Sequence, residues 1–466
     1  MNPSFSLAAG LLGAISLSLL SGCTALPDLQ LARQAKARGD LATAQANFRP
    51  LAEQGYVDAQ IGLADLLVRS PLPAQQGQGE GYYRQALGRS PAAGVGLGKW
   101  LASKPAPSPA ERKEAEQLLR QGLAAGDRST LIPLTALLLR DPQRIASGEI
   151  AQQLGQWQAA GMGEAQYGKV MLYRARGDYS QHLVEIEQTC EQWLTTLSEC
   201  YPELAALYQG RADTAKQQQL LERLLASYQA GVLPAASVLP VAKLLGSSAN
   251  GPADPPADPP AAKRLLTAIS GSYPDAWFSL AALLKAYPEQ GGTDEMLGDL
   301  QQGIAAGSAR SALMLGQLYL VDQYVPVNFH TAEKYLLQAL PAEPKAHLLL
   351  GKLYSEGQLG EIDPDKALAH FLAGARAGDP NADVALAQLF GDGRGVKINP
   401  VYAYSFAKLA KHQGLAQGQV LMERLAPQLQ PHDYPQVESL FSQELQARGG
   451  SPLSLSTQAD QRQGTL

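Results

Sequence analysis

Side chains able to act as nucleophiles, bases or metal ligands are sparse in this 466-residue chain, which holds three cysteines and six histidines. The histidines are scattered, with no HExxH or other paired metal spacing, at His182, His330, His347, His370, His412 and His432. No G-x-S-x-G nucleophile elbow occurs. The sequence therefore predicts no catalytic, cofactor-binding or metal-binding residues and favours binding over catalysis. An enzyme whose site is assembled from distant residues stays an alternative.

Cys23 has the most informative surroundings of the three cysteines. Leu7 to Leu20 is an apolar run of 14 residues, short for a membrane span and of the length of a signal-peptide core. The run ends in Leu20-Ser21-Gly22-Cys23, where small residues suit a cleavage site and the thiol can accept a diacylglyceryl group. This stretch resembles the bacterial lipobox, although no Lys or Arg precedes the run. The resemblance implies a signal peptide over residues 1–22 and lipidation of Cys23.

Further acylation of the new amine, for example by palmitate, would give several chains, enough for stable anchoring. In the sorting rule of bacterial lipoproteins, an Asp after the cysteine holds the protein at the inner membrane, and Thr24 stands there instead. We therefore expect a lipid-anchored outer-membrane protein that faces the periplasm. An uncleaved anchor, or a plain secretory signal with an incidental cysteine, are the alternatives.

The other two cysteines, Cys190 and Cys200, are ten residues apart. In an oxidising periplasm they could form a disulfide between consecutive helices. They could equally be two buried small apolar residues. The spacing alone does not decide between these readings, because a bridge needs Cα atoms within about 7 Å.

The elements that position these residues follow a repeated pattern of small and large side chains. It is clearest in two copies 36 residues apart, which open at Ala342 and Gly378 and have matching residues at offsets 4, 8, 9, 11 and 12. On a 3.6-residue helix these offsets lie on one side, so the pattern predicts an amphipathic helix. Openings recur at intervals of 34 to 41 residues, at Gly55, Arg89, Gly126, Gly161, Thr196, Gly231, Ser272, Gly307, Ala342, Gly378 and Gly414.

A second helix is predicted in each unit. Asn328, Asp363 and Asn399 stand just before it, where their side chains can accept bonds from free backbone N–H groups. Pro364 and Pro400 follow at the first helical position. Between the two helices, the stretches 356–360 and 391–395 supply glycines for a turn. Each unit is therefore predicted to be a helix hairpin of about 35 residues.

The stretch Leu350-Gly351-x-x-Tyr354-x-x-Gly357, followed by Asp363-x-x-Lys366-Ala367 and Ala375-x-x-Gly378, resembles the Sel1-like repeat of the tetratricopeptide repeat superfamily. The resemblance is good from about Gly307 to Gly414 and looser before it. It implies an all-α fold, a right-handed α-solenoid of tetratricopeptide/Sel1-like helix hairpins, in which each unit contacts only its neighbours.

Composition shifts set the expected boundaries. Residues 23–54 read as the lipidated N-terminus and capping helices, and residues 55–448 as the repeat solenoid. A Pro-rich insertion covers 251–260, Gly77 to Gly81 mark a loop, and the tail 449–466 lacks a hydrophobic period and is predicted to be disordered. The net charge of −5 argues against a nucleic-acid partner.

A solenoid offers a long surface for protein partners. Residues that break the Ala/Leu pattern near the C-terminal end, Arg394, Lys397, Tyr402 and Tyr404, are the candidate contacts. The alternative for Tyr404 is packing between units.

A signal peptide with a lipobox, about ten degenerate repeats and a polar tail together resemble the outer-membrane lipoproteins of bacterial alginate export. The stretches that carry this likeness are 131–134, 179–183 and 381–390. The resemblance implies a scaffold that positions the outer-membrane alginate export porin and recruits periplasmic alginate-modifying proteins, an acetyltransferase and an epimerase. A general outer-membrane assembly or cell-wall adaptor lipoprotein with the same repeats is the alternative.

Overall fold

The computed structural model describes residues 27–70, 73–247, 257–340 and 342–448. Helices account for the regular structure of these residues, and strands are absent from them. The first helices are α1 (Leu29–Ala37), α2 (Leu41–Glu53), α3 (Val57–Leu67), α4 (Pro73–Ala86), α5 (Pro91–Ser103), α6 (Pro109–Ala124), α7 (Leu131–Leu138), α8 (Pro142–Ala146), α9 (Glu149–Ala159), α10 (Glu164–Arg176), α11 (Leu183–Trp193), α12 (Cys200–Gly210) and α13 (Thr214–Gln229).

The chain continues with α14 (Ala235–Gly246), α15 (Pro259–Ser270), α16 (Asp275–Ala286), α17 (Thr293–Ala305), α18 (Ala309–Leu318), α19 (Phe329–Ala339), α20 (Lys345–Ser355), α21 (Pro364–Arg376), α22 (Pro380–Asp392), α23 (Pro400–His412), α24 (Ala416–Leu425) and α25 (Tyr434–Ala447). Successive helices pack as hairpins, for example α20 with α21 and α22 with α23. Each hairpin packs on the next, as α21 packs on α22. The fold is an all-α solenoid, as the sequence predicts.

The small and large residues of the pattern form the core between helices. Ala346, Leu350, Gly351 and Leu353 are buried in α20, and the matching residues of α22 are buried too. Gly351 is needed for close packing, since a Cβ there would lie 2.4 Å from Cδ1 of Phe371 on α21. A small residue on the first helix of the hairpin thus leaves room for a large side chain from the second helix.

Seven of the eleven units begin where a left-handed glycine ends the preceding helix. Gly378 has a φ of 95°, and its N–H donates to the carbonyl of Ala375 while the N–H of Asp379 donates to that of Gly374. These two bonds satisfy carbonyls that the end of α21 would otherwise leave free. The same left-handed conformation occurs at Gly55, Gly126, Gly161, Gly231, Gly307 and Gly414.

The second helices begin with the predicted caps. The side chain of Asp363 accepts from the N–H of Lys366, and that of Asn399 accepts from the N–H of Tyr402. Asn328 caps α19 in the same way. The local chemistry of Asn or Asp followed by Pro therefore sets where these helices start.

Two local predictions are corrected. Gly77 to Gly81, expected to form a loop, lie inside α4, because α4 approaches the end of α3 so closely that a Cβ at Gly79 would be 2.9 Å from the backbone nitrogen of Val68. The Pro-rich insertion is shorter than expected at its C-terminal end, since Pro259 and Pro260 form the first turn of α15 behind the cap Asp258. The rest of that insertion, 251–256, lies outside the described residues.

Candidate functional site

The turn between α22 and α23 carries the predicted partner-binding residues. Gly393 and Gly395 have φ angles of 70° and 74°, so the chain reverses twice around Arg394. The Arg394 side chain is 62% exposed, and its guanidinium lies 3.8 Å from the carboxylate of Asp392. Lys397 is exposed in the same turn. Two cations are thus presented to solvent on a turn that glycines fix.

The two tyrosines of the prediction differ in their surroundings. Tyr402 is 41% exposed, and its ring packs at a centroid distance of 5.1 Å against Phe390. Tyr404 is half-buried, with its ring edge-on to Tyr434 at 6.1 Å, and burial raises its pKa. Tyr404 therefore packs between α23 and α25, as its alternative reading proposed, while Tyr402 reaches the surface.

An exposed apolar residue missed by the sequence reading lies between these groups. Ile398, directly before the cap of α23, is 55% exposed. The equivalent residues of the two preceding units, Ile362 and Val327, are 52% and 40% exposed. A Cβ at Gly395 would lie 3.3 Å from Cγ2 of Ile362, so the turns of neighbouring units are in contact. We call Val327, Ile362 and Ile398 the apolar edge.

Positive charge predominates at the C-terminal end of the apolar edge. The 391–398 turn contains Arg394 and Lys397 but only one acidic residue, Asp392, whose carboxylate also lies 3.5 Å from the guanidinium of Arg424. Exposed isoleucine and tyrosine beside this surplus of cations form a mixed surface. Such a surface suits a partner that offers apolar and acidic groups together.

A cleft of about 410 Å³ opens between the starts of α20 and α22. Leu348 and Leu349 form its apolar wall, and Lys345, Asp379 and Asn381 stand at its polar margin. Its size is within the range of ligand pockets, and its wall suits an apolar side chain of an extended segment.

His347 and His370 form a contact that their separation in sequence does not reveal. Their Nδ1 atoms are 2.9 Å apart, so one nitrogen donates a proton and the other accepts it. The His370 ring also stacks on Tyr354, whose hydroxyl donates to Glu333. Burial, followed by the nearby His370, lowers the pKa of His347 to about 4, and burial also lowers the pKa of His370. The pair is neutral near pH 7 and joins α20 to α21.

Cys190 on α11 and Cys200 at the start of α12 are both fully buried and are free thiols in the structure. The Cys190 side chain is hydrogen-bonded to Cys200, and this bond, followed by burial, raises the pKa of the Cys190 thiol. The structure therefore brings together two buried thiols that are not joined by a disulfide.

Cys23, the predicted lipidation site, lies outside the described residues, as do the predicted signal peptide and tail. No helix in the described ranges is long and apolar enough to cross a membrane. Among the same residues, no group of three His, Cys, Asp or Glu side chains is placed to hold a metal ion.

The helix hairpins, their left-handed glycines and their small-to-large packing define a tetratricopeptide/Sel1-like repeat protein. A family model described as the AlgK tetratricopeptide repeat domain matches residues 182–270. The chain is 45% identical over 441 residues to the alginate biosynthesis protein AlgK of Pseudomonas aeruginosa, covering 95% of this chain and 92% of that one. The chain belongs to the AlgK family of alginate biosynthesis proteins. It is a family of repeat proteins rather than of enzymes, as the sequence predicts.

Two further AlgK proteins and two solved structures resemble this chain. The AlgK proteins of Pseudomonas syringae pv. tomato and Azotobacter vinelandii are 41% and 39% identical to it, over 93% of this chain in both cases and over 91% and 95% of their own lengths. A protective antigen of uropathogenic Escherichia coli with an SLR fold covers 90% of this chain and 95% of its own, at 17% identity and a TM-score of 0.41. A Sel1 repeat protein from Oxalobacter formigenes covers 45% of this chain and 98% of its own, at 17% identity and a TM-score of 0.34.

Proposed function

We propose that this protein is an outer-membrane-anchored periplasmic scaffold for alginate secretion. In this role it would position the export porin and recruit periplasmic modification proteins through its repeat surfaces. The observation that carries the proposal is the apolar edge with its surplus of cations, displayed on a regular solenoid in a member of the AlgK family. A binding surface of this kind, with no metal cluster among the described residues, suits assembly better than catalysis.

The anchor of this scaffold would be the lipid on Cys23. Cys23 precedes the first residue of α1, Leu29, by only six positions, so acyl chains there would hold the first hairpin close to the membrane surface. Thr24 supports sorting to the outer membrane. Replacing Cys23 with Ala is expected to release the protein from membranes and to abolish labelling by a palmitate analogue. Retention of the C23A variant in the outer membrane would contradict the anchor.

The partners would be the outer-membrane alginate porin and the periplasmic acetyltransferase and epimerase. A scaffold acts by raising the effective concentration of its partners rather than by chemistry. One of them would dock on the C-terminal units, where Ile398 and Tyr402 supply apolar contact area and Arg394 and Lys397 supply charge. Interface energy is usually concentrated in a few such residues.

The test is an affinity pull-down of the tagged, full-length protein from outer membranes. The double variant Ile398→Asp/Arg394→Glu places acid where an apolar-acidic partner would dock, and it is expected to lose one partner by at least about tenfold. Val184→Asp is the matched control, because Val184 is 65% exposed in a distant unit. Its pull-down should equal that of the unaltered protein.

Three results would count against the proposal. Equal recovery of every partner by both variants would remove the docking site from the α22–α23 turn. Equal losses in both variants would show that the loss of the partner is not specific to the α22–α23 turn. Recovery of general porin-assembly factors or cell-wall enzymes alone, in place of alginate proteins, would favour an assembly adaptor.

A further inference from the structure

Two parts of the chain that are far apart in sequence touch each other. The turn between α1 and α2 contains Gly39, and a Cβ at this glycine would lie 3.1 Å from Cδ2 of Tyr273 and 3.6 Å from Cδ of Pro274. Tyr273 and Pro274 precede α16, so fourteen helices, α2 to α15, separate the two sides of the contact. Repeats of a solenoid contact only their neighbours, and this contact is an exception to that rule.

The turn on the N-terminal side is fixed by local bonds. Gly39 has a φ of 78°, its N–H donates to the carbonyl of Lys36, and the N–H of Asp40 donates to that of Ala35. The Asp40 side chain then caps α2 through the N–H of Thr43. Only glycine combines this left-handed backbone with so close an approach of the Tyr273 ring.

The C-terminal side of the contact, which contains Tyr273, is also held in place by its neighbours. The N–H of Tyr273 donates to the carbonyl of Ile269 at 2.9 Å, and its ring packs on the core of the central units. Burial raises the pKa of Tyr273, and the positive charge of Arg69, just beyond α3, partly offsets this. Arg69 thus adds an N-terminal charge that acts on Tyr273 beside the direct contact at Gly39.

We propose that this contact is a latch, which closes the solenoid from α2 to α15 into one superhelical turn. Each unit is rotated by a small angle relative to the one before it, and the return of the first hairpin to the seventh unit means that these rotations complete a turn. The latch consists of Gly39 on one side and Tyr273 with Pro274 on the other. It does not depend on the identity of any partner.

The latch divides the chain into two groups of units. The units from α2 to α15 are held in a closed turn, and the units from α16 to α25 continue beyond it. A partner that widens the closed turn when it binds would have to break the latch. A partner of the α22–α23 turn would bind without opening it, so the two kinds of binding are separable.

The test compares two substitutions in the full-length protein. Gly39→Asn adds a side chain at the latch, and asparagine tolerates the left-handed backbone. Gly55→Asn is the matched control, because Gly55 has a φ of 87° and nothing within 4 Å of a Cβ. Both changes carry the same backbone cost, and only Gly39→Asn disturbs the contact.

Hydrogen exchange and small-angle X-ray scattering provide the readouts. With Gly39→Asn, we expect a larger radius of gyration and at least about fivefold faster exchange at the amides of Ala276 and Trp277, which donate to Tyr273 and Pro274. Gly55→Asn should leave both quantities unchanged. Identical behaviour of the two variants would overturn the latch.

A cross-link gives an independent measurement. Arg38 is exposed beside Gly39, and Gly271 is exposed two residues before Tyr273 with nothing near its Cβ position. The Arg38→Cys/Gly271→Cys variant should be joined within one chain by a short bismaleimide, and adding Gly39→Asn should abolish the product. Failure to cross-link, or cross-linking that Gly39→Asn leaves intact, would refute the closed turn.

Discussion

Arg448 and Asp383 form a two-pronged ion pair in which both N–O distances are 2.8 Å, and Asp383 is fully buried. The pair joins the end of α25 to the first turn of α22. A second such pair, Arg376 with Glu444, holds α25 to the end of α21. The last helix therefore bonds to units that precede it rather than only to α24, and it closes the C-terminal end of the solenoid.

Breaking the ion pair between Arg448 and Asp383 should destabilise the C-terminal units. Arg448→Met leaves the buried Asp383 carboxylate with Gln413 as its remaining side-chain donor. We expect a loss of about 3–5 kcal/mol in the free energy of unfolding of these units, because an unpaired charge would stay buried. Urea unfolding measures this loss of free energy, and hydrogen exchange of the α25 amides shows whether it is confined to the C-terminal units.

Arg33→Met is the control for that experiment. Arg33 pairs with Asp58 on the surface, where both side chains are more than half exposed. Its loss should cost no more than about 1 kcal/mol. If Arg448→Met is as mild as Arg33→Met, the pair does not hold α25 in place.

The His347–His370 pair predicts how stability depends on pH. The unfolded chain binds protons at these rings below about pH 6.5, whereas the folded His347 stays neutral down to about pH 4. The unfolded state therefore binds more protons in this window, and stability falls as the pH is lowered from 6.5 towards 4. The loss should be on the order of 1–2 kcal/mol, since the rings are only partly buried.

A His347→Gln/His370→Gln variant isolates this effect. Its urea-unfolding free energy should change less between pH 6.5 and 4.5 than that of the unaltered protein. Equal pH slopes for the two proteins would show that the acid sensitivity arises elsewhere.

The close packing at Gly351 predicts that a larger side chain there destabilises the α20–α21 hairpin. Gly351→Ala places a Cβ 2.4 Å from the Phe371 ring, so Phe371 must move and the expected cost is about 1–3 kcal/mol. Gly298→Ala, inside α17 with nothing near its Cβ position, should instead stabilise by about 0.5–1 kcal/mol. Thermal unfolding of both variants checks the opposite signs, and a shared sign would disprove the packing argument.

The buried cysteines predict a reactivity pattern. In reduced, folded protein, the thiols of Cys190 and Cys200 should react slowly with a maleimide, because both are buried and the pKa of Cys190 is raised. Unfolding in urea should expose both at once. Mass spectrometry counts the labels. Protein from an oxidising compartment that gains no label in urea until it is reduced would carry a disulfide.

Local chemistry made the hairpins predictable. Asp363-Pro364 and Asn399-Pro400 encode helix starts within two residues, and the small-to-large pattern encodes the buried side of each first helix. Both signals act over one or two turns of helix, so they can be read without knowledge of distant residues.

Features that depend on packing between distant residues could not be read in this way. The contact of His347 with His370 and the pairing of Asp383 with Arg448 join residues whose separation in sequence does not indicate that they are close in the fold. Gly77 to Gly81 carry the composition of a loop, and only the nearby Val68 backbone explains why they are helical. For Arg394, Lys397, Tyr402 and Tyr404, composition indicated an unusual stretch, but the structure had to separate Tyr404 from the other three.

The left-handed glycines that begin most of the units also act as joints. Gly55, Gly126, Gly161, Gly231, Gly307 and Gly414 have nothing within 4 Å of a Cβ position, so their role is confined to the backbone. A whole hairpin gained or lost between two such joints would leave the neighbouring hairpins with their usual caps and packing surfaces. Beyond the latched turn, between α16 and α21, the number of hairpins can therefore change in steps of one during evolution, while α25, bonded through Asp383 and Arg376, must stay at the end.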